Sequence, residues 1–162
     1  MNGSADNTAH GAPEKPGRGE RFLNLATARK MLPLVQHIVA DILENQRNLA
    51  RLLPELDDLD RRRRELDWPH RARRYQLRGE IAVAEFNLHE AMAELVGLGV
   101  ELAEKEPGAV RFPTLINGRR AYFCWSAGEE DITFWCFGEE DEQRPIPASW
   151  MRSAGLLSYS KS

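Results

Sequence analysis

The sequence predicts an α+β fold: a long antiparallel coiled-coil helical hairpin with a small antiparallel β-sheet of three to four strands packed at its open base. Three observations carry this expectation. Apolar residues recur at alternating steps of three and four from Ala28 to Leu66, and again from Leu77 to Leu98. Asp67 and Pro69 stand between these two runs and suit a turn that starts a new helix. After Leu98 the period shortens, and Gly, Pro, Asn and Asp divide the chain into short runs rich in aromatic and apolar residues.

Taken in order, residues 1–20 are mostly Gly, Pro, Ala, Asn and Ser. They hold too little apolar surface to offset ordering entropy and are expected to be disordered. A single domain is expected over 21–142, with the hairpin at 26–98 and the sheet at 99–138. The first helical seam runs Ala28, Met31, Val35, Ile38, Ile42, Leu49, Leu52, Leu56, Leu59, Leu66, with Asn45 and Arg63 filling its gaps. The second runs Leu77, Ile81, Ala84, Leu88, Ala91, Leu95, Leu98. Folding at the turn sets Leu59 against Leu77, Leu56 against Ile81, Leu49 against Leu88 and Ile42 against Leu95. Asn45 falls opposite the small Ala91, where a polar group fixes register at a cost in stability.

The first helix overhangs the second by about a dozen residues, and the overhang carries the widest apolar surface, with Leu32, Leu34, Val39 and Leu43 added to the seam. The sheet is expected to cover it. Pro54 should kink or restart this helix, and Pro33 is tolerated if it lies in the first turn. "ING" at 116–118 and "GEED" at 128–131 read as hairpin turns. The tail, residues 143–162, carries Trp150, Met151, Leu156 and Leu157 among small residues; it is expected to be flexible, with packing on the sheet as the alternative.

The chain has 162 residues, 42% of them apolar and 29% charged, with a net charge of −3. That charge argues against a general electrostatic grip on nucleic acid or anionic membrane. No apolar run is long enough to span a bilayer, and the N-terminus has no apolar stretch suited to export. The expected location is cytoplasmic, where the two cysteines meet a reducing medium and a permanent disulfide is disfavoured.

Those cysteines lie in "FCWSAGEEDITFWCF", Phe123 to Phe137, the densest aromatic stretch of the chain. A three-residue loop sets Cys124 opposite Cys136 and Trp125 opposite Trp135; a two-residue loop sets Cys124 opposite Trp135, with the thiols diagonal. Either register keeps the thiols close. Free cysteine behaves as a small hydrophobe, so one reading is core packing. The other is a soft-metal, haem or thiol-redox site, although two thiols alone do not complete a tetrahedral centre. No cofactor is predicted beyond that alternative.

At the other end of the hairpin, "RRRRELDWPHRARR" holds seven arginines in fourteen residues. Arg62, Arg63, Arg73 and Arg74 are candidates for contact with an anion or RNA. From Glu55 to Glu80, however, eight arginines meet seven acids, which favours solvated faces with local ion pairs. The histidines do not converge, Glu129 and Glu130 sit in a turn expected to be exposed, and no phosphate loop, hydrolase triad or zinc-spaced Cys/His set is present.

"FLNLATARKMLPLVQHIV" in the first helix and "FCWSAGEEDITFWC" in the sheet resemble a bacterial family of unknown function, DUF2203, over roughly residues 22–146. Cys124, Trp125, Gly128, Glu129, Ile132, Trp135, Arg144 and Pro145 fit that family's pattern, whereas Cys136 stands where the family usually has histidine. The resemblance implies the helix-plus-sheet layout and supplies no activity, because the family has none assigned. With no catalytic constellation competing, the sequence favours a non-catalytic interaction or scaffold module presenting the hairpin to a protein partner or a second copy, with no membrane role and nucleic acid confined to the hairpin tip.

Overall fold

A computed structural model describes residues 21–157, with side chains through Arg152. The disorder expected for residues 1–20 lies outside the described residues. The elements, in chain order, are α1 (Leu25–Arg61), α2 (Trp68–Gly97), β1 (Glu101–Leu102), β2 (Ala109–Ile116), β3 (Arg119–Ser126), β4 (Phe134–Phe137), β5 (Arg144–Pro145) and α3 (Ala148–Leu157).

Local chemistry sets the helix starts. The Asn24 side chain accepts a hydrogen bond from the Thr27 amide, and Asp67 accepts one from the His70 amide, so each helix opens on a side-chain cap. Pro69 occupies the first turn of α2, where a missing amide costs nothing. The interruption expected at Pro54 does not occur, and Pro33 lies well inside α1 rather than in its first turn. Both prolines are on the exposed side. The apolar residues flanking them, Leu32 and Val35 at one and Leu52 and Leu56 at the other, pack inward and hold the helix through each missing hydrogen bond.

The two helices pack along the expected seam, but its core is split. Leu52, Leu59, Leu77 and Ile81 form one cluster near the tip, flanked by Leu49 and Leu56. Ile42, Ala91 and Leu95 belong to a second, larger cluster at the base. Between them the helices leave a polar groove of roughly 810 Å³ lined by Asp41, Asn45, Asn48, Asn87 and Glu94 among others. Asn45 does not reach across; its side-chain amide donates to the Asp41 carbonyl of its own helix. A short polar residue facing alanine leaves nothing to bridge the gap.

The sheet has five strands rather than three or four, all antiparallel in the order β1-β2-β3-β4-β5. The strand beyond the expected four is β5, a two-residue edge that no short apolar run announces. β2 and β3 close through Asn117 and Gly118, both at positive φ, which pairs Ile116 with Arg119. Strands alternate their side chains between faces. Val110, Phe112, Phe123, Trp125 and Trp135 therefore share one face, which packs on Leu25, Ala28, Leu32, Val35, Ile38 and Val39 of α1. The overhang is covered at Leu32, Val39 and Leu43, whereas Leu34 stays 44% exposed.

The β3–β4 connection corrects both loop readings. Cys124 pairs with Phe134, and Trp135 pairs with Phe123 rather than with Trp125 or Cys124. The loop is longer because two of its residues dock on α1 instead of turning. Ile132 is fully buried in the base cluster, and Asp131 accepts two hydrogen bonds from the Arg29 guanidinium at 3.2 and 2.8 Å. Of the two alternatives for the tail, the described part packs. Ile146, Trp150 and Met151 rest against the base cluster, with Trp150 5.6 Å from the Trp135 ring.

The split seam has a measurable consequence. Replacing Asn45 with leucine should join the two clusters and stabilise the hairpin by about 1 kcal/mol, roughly one or two buried methylenes. A thermal melt should show a midpoint about 2–4 °C higher. An unchanged or lower midpoint would mean that other side chains set the gap.

Candidate functional site

The strand alternation that sends Phe123 and Trp125 to the core sends Tyr122 and Cys124 to the opposite face. Arg111 of β2 is the cross-strand partner of Cys124, and Cys136 of β4 is the partner of Tyr122. Four chemically active side chains therefore meet on the face turned away from the helices. The two thiols are diagonal neighbours, with their sulfurs 3.3 Å apart. The Arg111 Nη2 donates to Cys136 Sγ at 3.4 Å while its guanidinium carbon lies 4.1 Å from the centre of the Tyr122 ring.

Both cysteines are free and largely enclosed. They are not part of the apolar cluster between sheet and helices. They lie instead at the floor of a concavity of roughly 440 Å³, walled on one side by the Glu101–Glu106 segment and on the other by Glu140, Asp141 and Gln143. Lys105 and Asp141 join the two walls through a 2.8 Å ion pair. Gly108 closes the first wall at a φ of +80°, and a side chain there would press on Ala127 at 3.1 Å and on Leu43 at 3.2 Å.

The two thiols are electrostatically unequal. A hydrogen bond from the Cys124 thiol, joined by the hydrogen bond and charge of Arg111, outweighs burial and holds Cys136 down at about 6. Cys124 moves the other way: its hydrogen bond to Cys136 comes first and burial second, and both keep it protonated above the ordinary thiol value. Cys136 is thus the thiolate and Cys124 the thiol that donates to it. A cation would have to displace this arrangement beside a guanidinium. Among the described residues no group of three or more His, Cys, Asp or Glu side chains could hold a metal ion.

Of the residues of the family pattern, Cys124 alone belongs to the thiol pair. The Trp125 indole N–H donates to the Glu129 carbonyl at 2.9 Å, closing the turn in which Gly128 takes a φ of +99°. Glu129 is half-buried rather than exposed, and its Oε2 has no hydrogen-bond partner. Burial, and then the charge of Glu106, raises its carboxyl above the ordinary carboxylate value. The Arg144 guanidinium lies 5.4 Å from the Trp135 ring and pairs with Glu140 at 3.0 Å.

The arginines of the tip lie at the other end of the hairpin. Arg62 pairs with Asp58, Arg73 clasps Glu55 through two hydrogen bonds, and Arg74 pairs with Asp60. Arg63 is exposed in the turn. Three of the four are thus engaged by carboxylates of the hairpin itself.

Arg111 is the functional residue that the sequence reading missed. The signal was present: a two-residue Asn-Gly turn pairs Ile116 with Arg119, and counting back five residues pairs Arg111 with Cys124. An arginine within the apolar run "AVRFPTLI" invited that count.

The family model described as an uncharacterized conserved protein, DUF2203, matches residues 21–141, and the chain belongs to that family. No curated protein and no solved structure matches the chain. That description names no activity and so neither supports nor opposes an interaction role. Among the described residues no helix is long and apolar enough to cross a membrane.

The asymmetry of the pair is open to test. Alkylation of Cys136 should follow its thiolate and rise with pH through about 6, reaching a plateau near neutrality. In Arg111→Met, which keeps the stem and removes the charge, the midpoint should move up towards the ordinary thiol range. An alkylation midpoint unaffected by Arg111→Met would separate the guanidinium from the thiolate.

Proposed function

We propose that this DUF2203 protein performs thiol–disulfide exchange, with Cys136 as the attacking thiolate and Cys124 as the resolving thiol. The observation that carries this reading is the 3.3 Å sulfur pair with the Arg111 guanidinium on one of its members. A positive charge there favours a thiolate and opposes a metal cation, which sets the redox reading above the soft-metal and haem alternatives.

The oxidant is a small disulfide, for which the concavity leaves room over the sulfurs. The Cys136 thiolate attacks one of its sulfur atoms; a mixed disulfide forms, the substrate S–S bond breaks, and half of the substrate leaves as a thiolate that takes a proton from solvent. Cys124 then loses its proton to solvent and attacks the Cys136 sulfur. The Cys124–Cys136 bond forms as the mixed disulfide breaks, and the second thiol leaves. One disulfide becomes two thiols while the protein dithiol becomes a disulfide, a two-electron exchange.

Geometry also sets the poise of that disulfide. Diagonal cross-strand neighbours stand about 7–8 Å apart. A relaxed disulfide prefers a Cα separation of about 4.4–6.8 Å. Bond formation therefore draws β3 and β4 together, and the strained product is readily reduced. In glutathione redox buffers the native protein should lose two hydrogens by mass, with a potential above about −250 mV, well above that of structural disulfides. Cys124→Ser should trap the glutathione mixed disulfide on Cys136. Cys136→Ser should react about 100-fold more slowly. Native protein that stays a dithiol in excess oxidised glutathione, and reacts only once unfolded, would return both cysteines to simple packing.

A further inference from the structure

The side of α2 turned away from α1 leaves large side chains uncovered. Trp68 is 73% exposed, Tyr75 83% and Phe86 63%, and they share one stripe with the small residues Ala72, Gly79, Ala93 and Gly97. This stripe lies opposite the residues that pack on α1, among them Leu77, Ile81 and Leu95. Nothing within the chain calls for Gly79: a side chain there would meet no atom within 4 Å. A glycine inside a helix nonetheless lowers its stability against alanine. Exposed aromatic residues sharing a stripe with small ones mark a surface shaped for another helix.

We propose that the occupant is a second copy of this chain, with the two α2 helices antiparallel about a two-fold axis that crosses between Ala82 and Val83. This arrangement overlaps the helices over their whole length and makes the stripe complementary to itself. Trp68 of each copy lies over Gly97 of the other, Phe86 over Gly79, and Ala72 against Ala93. Large residues thus meet small ones at both ends and at the centre, as a two-fold interface demands.

Charge points to the same pairing. The first half of the helix, residues 68–82, holds four arginines against one acid, Glu80, whereas residues 83–97 hold Glu85, Glu90 and Glu94 and no lysine or arginine. Arg73 and Arg74 are held by Glu55 and Asp60 of their own chain, and Arg78 lies 3.7 Å from Asp60, so antiparallel pairing brings Arg71 and the outer side of Arg78 to the acidic half of the other copy. Arg78 falls beside Glu85 of the second copy, and the symmetry gives the contact twice. A parallel pair would set like halves together. The area is adequate as well. A helix of 30 residues is about 45 Å long and 10–12 Å wide, so the two copies bury roughly 1,000 Å² in all, the lower bound for a specific interface.

The stripe contributes no residue to the concavity over the thiols, and the inference stands apart from the exchange chemistry. Sedimentation of the full chain under reducing conditions, over a range of concentrations up to about 1 mM, tests it. The native chain should be a dimer that dissociates on dilution. Gly79→Leu fills the slot for Phe86 while raising helix propensity, so it should weaken the dimer about 100-fold with helicity and melting point maintained. Glu85→Arg should weaken it about tenfold, and adding Arg78→Glu should restore it. A chain that remains monomeric at every concentration would overturn the proposal and leave the stripe to a different partner. A dimer indifferent to both Gly79→Leu and Glu85→Arg would overturn it equally.

Discussion

The fold depends on apolar surface that the hairpin cannot cover by itself. α1 extends beyond α2 at its N-terminal end, and there Leu25, Ala28, Leu32, Val35 and Val39 would face water if only two helices existed. Burying such side chains is worth roughly 1.5–3 kcal/mol each. The sheet exists to meet that demand. Its inner face supplies Val110, Phe112, Phe123, Trp125 and Trp135, and the β3–β4 loop adds Ile132 and the Arg29–Asp131 clasp. The described part of the tail completes the cover through Trp150 and Met151.

Once the inner face of β3 is assigned, its outer face follows from the pleat. Phe123 and Trp125 point inward, so Tyr122 and Cys124 point outward; the pairing with β2 and β4 then brings Arg111 and Cys136 beside them. The thiols are therefore enclosed but are not held by the apolar core. They are covered by loop walls and by one guanidinium. Being out of water raises both thiols and the Arg111 charge acts on both, but only Cys136 also accepts the Arg111 hydrogen bond, which separates the pair into a thiolate and a thiol. This asymmetry distinguishes a reactive dithiol from two cysteines used as small hydrophobes.

The hairpin divides in a comparable way. Towards the tip, four leucine and isoleucine side chains and the Arg73–Glu55 and Arg74–Asp60 pairs hold the helices together. At the base, Ile42, Ala91 and Leu95 merge with the sheet core. Between these anchors the polar groove around Asn45 is the weakest level of the seam. The tip arginines spend their charge on hairpin carboxylates, so the density of arginine in the sequence overstates the positive charge available there.

Much of the architecture was legible in the sequence because it rests on short-range periodicity. The three-and-four seams, the cap at Asp67 and the Asn117–Gly118 turn act through neighbours a few residues apart, so local spacing determined the hairpin and the β2–β3 pairing. The length of the β3–β4 loop was not legible. Asp131 and Ile132 leave the turn for contacts with α1 a hundred residues away, and no local pattern records such a pull. The two-residue edge strand β5 was hidden for the same reason, since it exists only as the partner of a longer strand. The sequence by itself determined that two thiols would lie close together among aromatic residues. Only the tertiary structure decided that they face away from the core and share one arginine, because that contact joins β2 to β4 across a third strand, and the register between β3 and β4 is set by packing on the helix rather than by the turn.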